Sequence, residues 1–290
     1  MKIVVIVGPT GVGKTKLSIA LAHHLNAVVI NGDSMQVYKG LDIGTAKIKE
    51  NEKDNVEHYL FDIKDVCENY TIYDYQRDGR ELLNKFQKEN KNVIIVGGSG
   101  LYLKALLYDY KFNKEEIINN YDNLTNDEIL EEIKKYHETN IHINNRKRLV
   151  RELNKINNNS IIESDINKKL YDFTIIGLTC ERSLLYQVVD KRVDEMFKEG
   201  LVNEVKYFYD KGIRSKAIKT GIGYKELYDY FDNKITLEES KDLIKKNTRH
   251  FIKRQYTFFK HQMDVNWITT DFNNFNNTIN EAIKIIENQY

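Results

Sequence analysis

Residues 8–15 read Gly8-Pro9-Thr10-Gly11-Val12-Gly13-Lys14-Thr15, which matches G-x-x-x-x-G-K-[ST] without a mismatch. Glycines let successive backbone N–H groups point into one concavity, and a following helix N-terminus adds partial positive charge, so polyphosphate fits there. Lys14 would bridge two phosphoryl groups as a point charge, and the Thr15 hydroxyl would hold Mg²⁺, a hard cation that prefers oxygen ligands. The loop does not say whether the phosphates carry a transferred phosphoryl group or depart as a leaving group. A Walker-B acid would end an apolar strand, but Val93-Ile94-Ile95-Val96 runs into Gly97-Gly98-Ser99-Gly100, which weakens an NTPase motor. After Val29-Ile30-Asn31-Gly32 comes Asp33, a carboxylate at the carboxyl edge of the expected sheet, where open α/β sheets bind ligands. Spacing alone leaves Asp33 open as a turn or cap residue.

These residues need a parallel sheet to position them. The run Ile3–Val7 is short and β-branched, and Leu17, Ala20, Leu21 and Leu25 follow at helix spacing, so the phosphate loop is a strand-to-helix turn. Further strands are expected at Ala27–Ile30, Val93–Val96, Phe173–Leu178 and, more weakly, Val265–Ile268, with helical segments between them. That alternation predicts an α/β fold. Leu184, Leu185, Val188, Val193, Met196 and Phe197 mark a helix stopped by Gly200, and a second helix runs on to Gly212. Residues 111–140 are polar, with one stripe of Ile129, Leu130, Ile133 and Tyr136. They read as a small inserted helical subdomain in a core of residues 1–110 and 141–290.

The 290 residues carry 44 Lys and Arg against 43 Asp and Glu, so the chain is neither a cationic tail protein nor disordered by composition. No apolar run reaches the roughly 18–20 residues of a membrane span, and a cytosolic protein is expected. Cys67 and Cys180 lie in unrelated contexts, which supports neither a disulfide framework nor a zinc site. Between Lys211 and Gln262 there are thirteen Lys and Arg against six Asp and Glu, interleaved with Tyr224, Tyr228, Phe251, Tyr256, Phe258 and Phe259. A nucleic-acid face fits this pattern; aromatics at helical spacing also fit a core.

Six ordered blocks carry a resemblance over nearly the whole chain. They are Gly8–Thr15, then Asp33-Ser34-Met35-Gln36-Val37-Tyr38 with Leu41-Asp42-Ile43-Gly44-Thr45-Ala46-Lys47, then Gly97-Gly98-Ser99-Gly100-Leu101-Tyr102-Leu103-Lys104-Ala105-Leu106. Arg148-Leu149-Val150-Arg151, Ile222-Gly223-Tyr224-Lys225-Glu226, and Thr248-Arg249 with Lys253-Arg254-Gln255 complete them. In these residues the chain resembles the tRNA dimethylallyltransferases. The resemblance implies a P-loop NTPase-like parallel sheet flanked by helices, and a monomer that modifies adenosine 37 beside the anticodon of tRNA. It implies that Gly8, Pro9, Thr10, Gly11, Val12, Gly13, Lys14 and Thr15 cradle the diphosphate of dimethylallyl diphosphate, with Mg²⁺ on Thr15 and no phosphoryl transfer, although other proteins use the same loop for ATP.

By the same resemblance Asp33 is the general base on the exocyclic N6 amine, and Asp33, Ser34, Met35 and Gln36 touch the base. Arg192 matches the phosphate arginine; an Arg on an amphipathic helix is otherwise solvated or ion-paired. Ser99 is implied as a catalytic-site residue that meets the substrate between the sheet and the tRNA, a hydroxyl where threonine is usual, and it could alternatively cap the helix opened by Gly100. Lys147, Arg148, Leu149, Val150 and Arg151 fall in the tRNA-contacting segment, where Ile143 replaces a usual proline and Asn145 a usual aspartate. Gly221, Tyr224, Lys225, Arg249, Lys253 and Arg254 are implied on the nucleic-acid side. The rivals are a P-loop kinase with Arg148 and Arg151 as its lid, a prenyltransferase for free adenine nucleotides, and a non-catalytic RNA-binding protein.

Overall fold

The computed structural model describes residues 1–112, 119–158 and 167–289. They form two compact units, residues 1–107 with 169–290 and residues 108–168.

The larger unit is built on a six-stranded parallel sheet. Its strands are β1 (Ile3–Val7), β2 (Ala27–Asn31), β3 (His58–Tyr59), β4 (Asn92–Val96), β5 (Thr174–Thr179) and β6 (Asn266–Thr269), in the order β3-β2-β4-β1-β5-β6. Every residue of β1 and β2 is buried, as a β-branched run covered on both faces requires. The chain leaves β1 for β2 on one side, whereas it leaves β4 for β5 on the other. This reversal opens a crevice at the carboxyl ends of β1 and β4, where α/β sheets seat ligands. The four strands expected after β1 lie within one residue of their expected bounds; the two-residue edge strand β3 has no periodic signature.

Helix α1 (Lys14–Leu25) follows β1 directly and buries Leu17 and Leu21 against Val4, Ile6, Val29 and Ile94. Helix α2 (Ile72–Lys88) begins at a capping box in which Thr71 accepts from the Asp74 N–H. Helix α3 (Gly100–Leu107) follows β4.

The smaller unit holds α4 (Asn126–Lys134) and α5 (Arg146–Asn157) around Tyr121, Ile129, Ile133, Leu149, Val150, Leu153 and Ile156. It is wider than the expected 111–140, because the stripe of α4 is covered only when α5 supplies the opposing face. Residues 113–118 of that expectation lie outside the described residues.

The rest of the larger unit comprises α6 (Arg182–Glu199), α7 (Leu201–Asp210), α8 (Lys216–Thr220), α9 (Tyr224–Phe231), α10 (Leu237–Gln262) and α11 (Phe275–Gln289). Gly200, at φ 105°, ends α6 and begins α7, the stop expected there. Among the described residues no helix is long and apolar enough to cross a membrane.

Candidate active site

The loop between β1 and α1 closes tightly on the sheet. Gly8 has φ +138°, and a Cβ there would lie 2.5 Å from the Leu178 carbonyl oxygen, so only glycine lets this backbone pass. Val12 turns its side chain into the core, and its carbonyl accepts from Thr270 Oγ1 at 3.0 Å, so that side chain is closed off from any ligand of the loop. Lys14 spans the loop, donating from Nζ to the Pro9 carbonyl at 2.7 Å. Burial pushes its ammonium down to about 8, the Arg192 guanidinium pushes the same way, and Asp33 opposes them. Arg192, on α6, is itself lowered by burial, and its buried Nε has no hydrogen-bond partner among the described residues. Two crowded cations and an orphaned donor suit a polyanion. Thr15 is exposed at this cavity, and among the described residues no cluster of three His, Cys, Asp or Glu could hold a metal. That donor set fits Mg²⁺, which binds through few protein oxygens and takes phosphate oxygens and water for the rest.

Asp33 stands just beyond β2. Asn31 brackets it, accepting from the Asp33 N–H at 2.8 Å and donating from Nδ2 to the Asp33 and Leu60 carbonyls at 2.9 and 3.0 Å. Asp33 Oδ1 accepts from the Met35 N–H at 2.9 Å, so the turn role and the chemical role coincide in one side chain. Burial raises the Asp33 pKa; the Met35 N–H, Lys14 and the Gln36 N–H hold it back. Ser99 supports the same turn. Its Oγ accepts from the Ser34 N–H at 3.0 Å and donates to Ser34 Oγ at 3.2 Å, while its carbonyl takes the first bond of α3 from Leu103. The β2 and β4 ends approach so closely that a Cβ on Gly97 would lie 2.1 Å from the Gly32 carbonyl carbon.

Two cavities meet at this point. One, of about 690 Å³, takes in Gly11, Gly13, Lys14, Thr15 and Gln36. The other, of about 360 Å³, takes in Ser34, Met35, Gly221, Lys225, Phe251 and Arg254. Thr10, Asp33, Thr45 and Arg192 line both. The carboxylate and the guanidinium therefore stand between a chamber lined by the glycine-rich loop and a second chamber walled by the basic carboxyl-terminal helices.

A family model described as IPP transferase matches residues 36–262. The chain belongs to that family. It is 42% identical to the tRNA dimethylallyltransferase of Anoxybacillus flavithermus, over 100% of this chain and 97% of that protein. It is also 42% identical to the tRNA dimethylallyltransferase of Geobacillus thermodenitrificans, over 98% and 96%. The crystal structure of the full-length tRNA isopentenylpyrophosphate transferase from Bacillus halodurans superposes with a TM-score of 0.78 at 39% identity, covering 99% of this chain and 96% of that one. A eukaryotic dimethylallyltransferase, described as acting on tRNA, gives a TM-score of 0.81 at 27% identity, covering 100% and 81%.

In this IPP transferase the residues expected on the nucleic-acid side divide. Met35, Gly221, Lys225 and Arg254 line the second cavity, and Lys253 and Arg254 are exposed on α10. Tyr224 is fully buried and donates its hydroxyl to Glu204 at 2.6 Å, so its ring cannot stack on a base. Tyr228 and Phe259 are likewise buried, which makes much of the aromatic pattern core; Phe251 alone of the six, besides the buried Tyr224, borders the second cavity. Arg249 is paired with Asp190 at 2.5 Å, and Lys241 and Lys245 both with Asp194. The solvated charge includes a stripe of which the motifs marked only Lys253: Lys246, Lys253 and Lys260 recur every seven residues on one exposed face of α10.

On α5, Lys147, Arg148 and Arg151 are exposed, but Leu149 and Val150 point into the core of the smaller unit, since the apolar half of that helix must be covered. Asn145 accepts from the Arg148 N–H at 3.4 Å, capping α5 with its amide oxygen. Asn31 and Glu204 went unmarked in the sequence, because neither lies where periodicity or a chemical motif singles it out.

Proposed function

We propose that this IPP transferase moves the dimethylallyl group of dimethylallyl diphosphate to N6 of adenosine 37 in tRNA and releases diphosphate. The observation that carries this reading is Asp33 lining both cavities, with Lys14 and Arg192 beside it. The allylic C1–O bond breaks, a C1–N6 bond forms, and the proton leaving N6 passes to an Asp33 oxygen. An adenine amine has its lone pair drawn into the ring, so positive charge grows on nitrogen while negative charge grows on the departing diphosphate. The loop N–H groups, Lys14 and the free Nε of Arg192 are fixed where that negative charge appears, so they need no reorganisation during the step. Mg²⁺, held by Thr15 and the diphosphate, would add Lewis-acid stabilisation of the leaving group. The target nucleotide must leave its stack to enter the second cavity, at a cost of a few kcal/mol offset by the grip of the basic helices on the loop. In the same reading the protein acts as a monomer in the cytoplasm, where it would meet its tRNA substrate.

The test mixes the protein with Mg²⁺, dimethylallyl diphosphate and unmodified tRNA, then digests the RNA and weighs the nucleosides. A prenylated adenosine at the target position and stoichiometric diphosphate are expected. Prenylation of free adenine nucleotides in place of tRNA, or formation of ADP from ATP and a small acceptor, would overturn the assignment.

A further inference from the structure

Glu204 lies on α7, outside the six motif blocks, yet its carboxylate gathers four donors. Oε2 accepts the backbone N–H of Asp42 at 3.1 Å and of Ile43 at 2.7 Å, and Oε1 accepts the N–H of Gly44 at 3.1 Å and the Tyr224 hydroxyl at 2.6 Å. Three consecutive N–H groups converging on one point form an anion-binding concavity, and here the anion is the protein's own side chain. A Cβ on Gly44 would lie 2.6 Å from the Tyr224 ring, so the loop, α7 and α9 are packed with no slack.

The held loop leads to the reacting groups. Thr45, the next residue, lines both cavities, and its carbonyl accepts from Gln36 Nε2 at 3.0 Å. Gln36 closes the turn whose Met35 and Gln36 N–H groups face the Asp33 carboxylate. The far end of the loop is tied by Lys47, which donates from Nζ to the Tyr38 carbonyl and to Asp42 Oδ1 at 2.8 and 2.6 Å.

We infer that Glu204 is a positioning residue of the transfer reaction, fixing the 42–45 loop and through Gln36 the Asp33 turn between the two cavities. The inference rests on the proposed transferase activity. Because the diphosphate cradle and the exposed cations of α10 do not pass through this carboxylate, its loss should misplace the base without weakening either substrate's grip. Misplacement of the reacting groups by a fraction of an ångström lowers the chemical step itself.

The experiment compares wild type, Glu204→Gln and Tyr224→Phe. It measures single-turnover rates at saturating dimethylallyl diphosphate and tRNA, with tRNA binding titrated for affinity and stoichiometry. Gln offers one acceptor oxygen and turns N–H donors toward the loop's own, so the rate is expected to fall by about ten-fold or more, with tRNA Kd and KM for the diphosphate within about three-fold and binding stoichiometry intact. Tyr224→Phe removes one of the four donors and should give a smaller fall of the same kind. A Glu204→Gln rate within two-fold of wild type overturns the inference. So does a rate loss matched by loss of tRNA-binding sites, with Tyr224→Phe unaffected, which is simple unfolding. Failure of wild type itself to transfer sinks the activity and not the clamp.

Discussion

Asp33 and Lys14 are shifted in opposite directions, and in the proposed reaction both must carry charge. Burial raises the carboxyl, so the rate constant kcat/KM should climb with pH as Asp33 loses its proton. It should fall again through about 8, where Lys14 in the free enzyme loses its own. A bound diphosphate favours the ammonium, so the alkaline limb of kcat should lie at higher pH than that of kcat/KM. A kcat/KM profile that stays flat between neutrality and pH 10 would remove Lys14 from the free-enzyme account. Asp33→Asn keeps the turn acceptor but cannot take a proton, and it should cost about 10²–10⁴ in kcat while tRNA binding survives in a gel-shift assay. The same burial predicts ligand-linked stability. Inorganic diphosphate at 100 times its Kd should add about 2.7 kcal/mol by mass action, read as a rise in Tm, and Lys14→Met should lose most of that rise. For Lys14, the folded pKa lies below the unfolded one, so its burial penalty is present in full below about 8 and is relieved as pH rises toward the unfolded value.

The strand-to-loop junctions hold these charges in place, and their tolerance to change is small. Gly97→Ala would drive a methyl into the Gly32 backbone, where neither partner has a side chain to swing aside. We expect a loss of several kcal/mol or failure to fold, measured by urea denaturation, against only about 1–2 kcal/mol for Gly212→Ser, where no atom lies within 4 Å of the added Cβ and the cost is that of a side chain at φ +69°. Much of this level was legible in the sequence. The β1 run, the phosphate loop and α1 follow from an apolar run, fixed glycine positions and a helical stripe, each a local property. The two-residue β3 was not legible, because pairing with β2 supplies its geometry and its own residues have no period. The extent of the smaller unit was hidden for a related reason, since Leu149 and Val150 show their partners only once α4 lies against them. Glu204 was the least visible, as its four donors come from residues 42–44 and 224 and meet only in the folded chain.

Over the whole molecule the charges nearly cancel, yet their distribution does not. Of the cations between Lys211 and Gln262, those on Asp190 and Asp194 are neutralised within the protein, whereas Lys246, Lys253 and Lys260 face water along α10. Lys253→Ala should weaken tRNA binding and reduce the slope of log Kd against log salt by about one, leaving the saturated single-turnover rate unchanged. Arg249→Ala should leave that slope in place and instead lower stability, because it strips Asp190 of its partner. An unchanged salt slope in Lys253→Ala would take α10 out of the RNA contact. The meeting of the two chambers at Asp33 and Arg192 also bears on inhibition. One molecule carrying an adenine joined through a short spacer to a diphosphate mimic would occupy both chambers at once, so its second half would bind at an effective concentration near millimolar without further loss of free motion. Such a bisubstrate compound should compete with both tRNA and the prenyl donor, whereas either half alone should compete with only one.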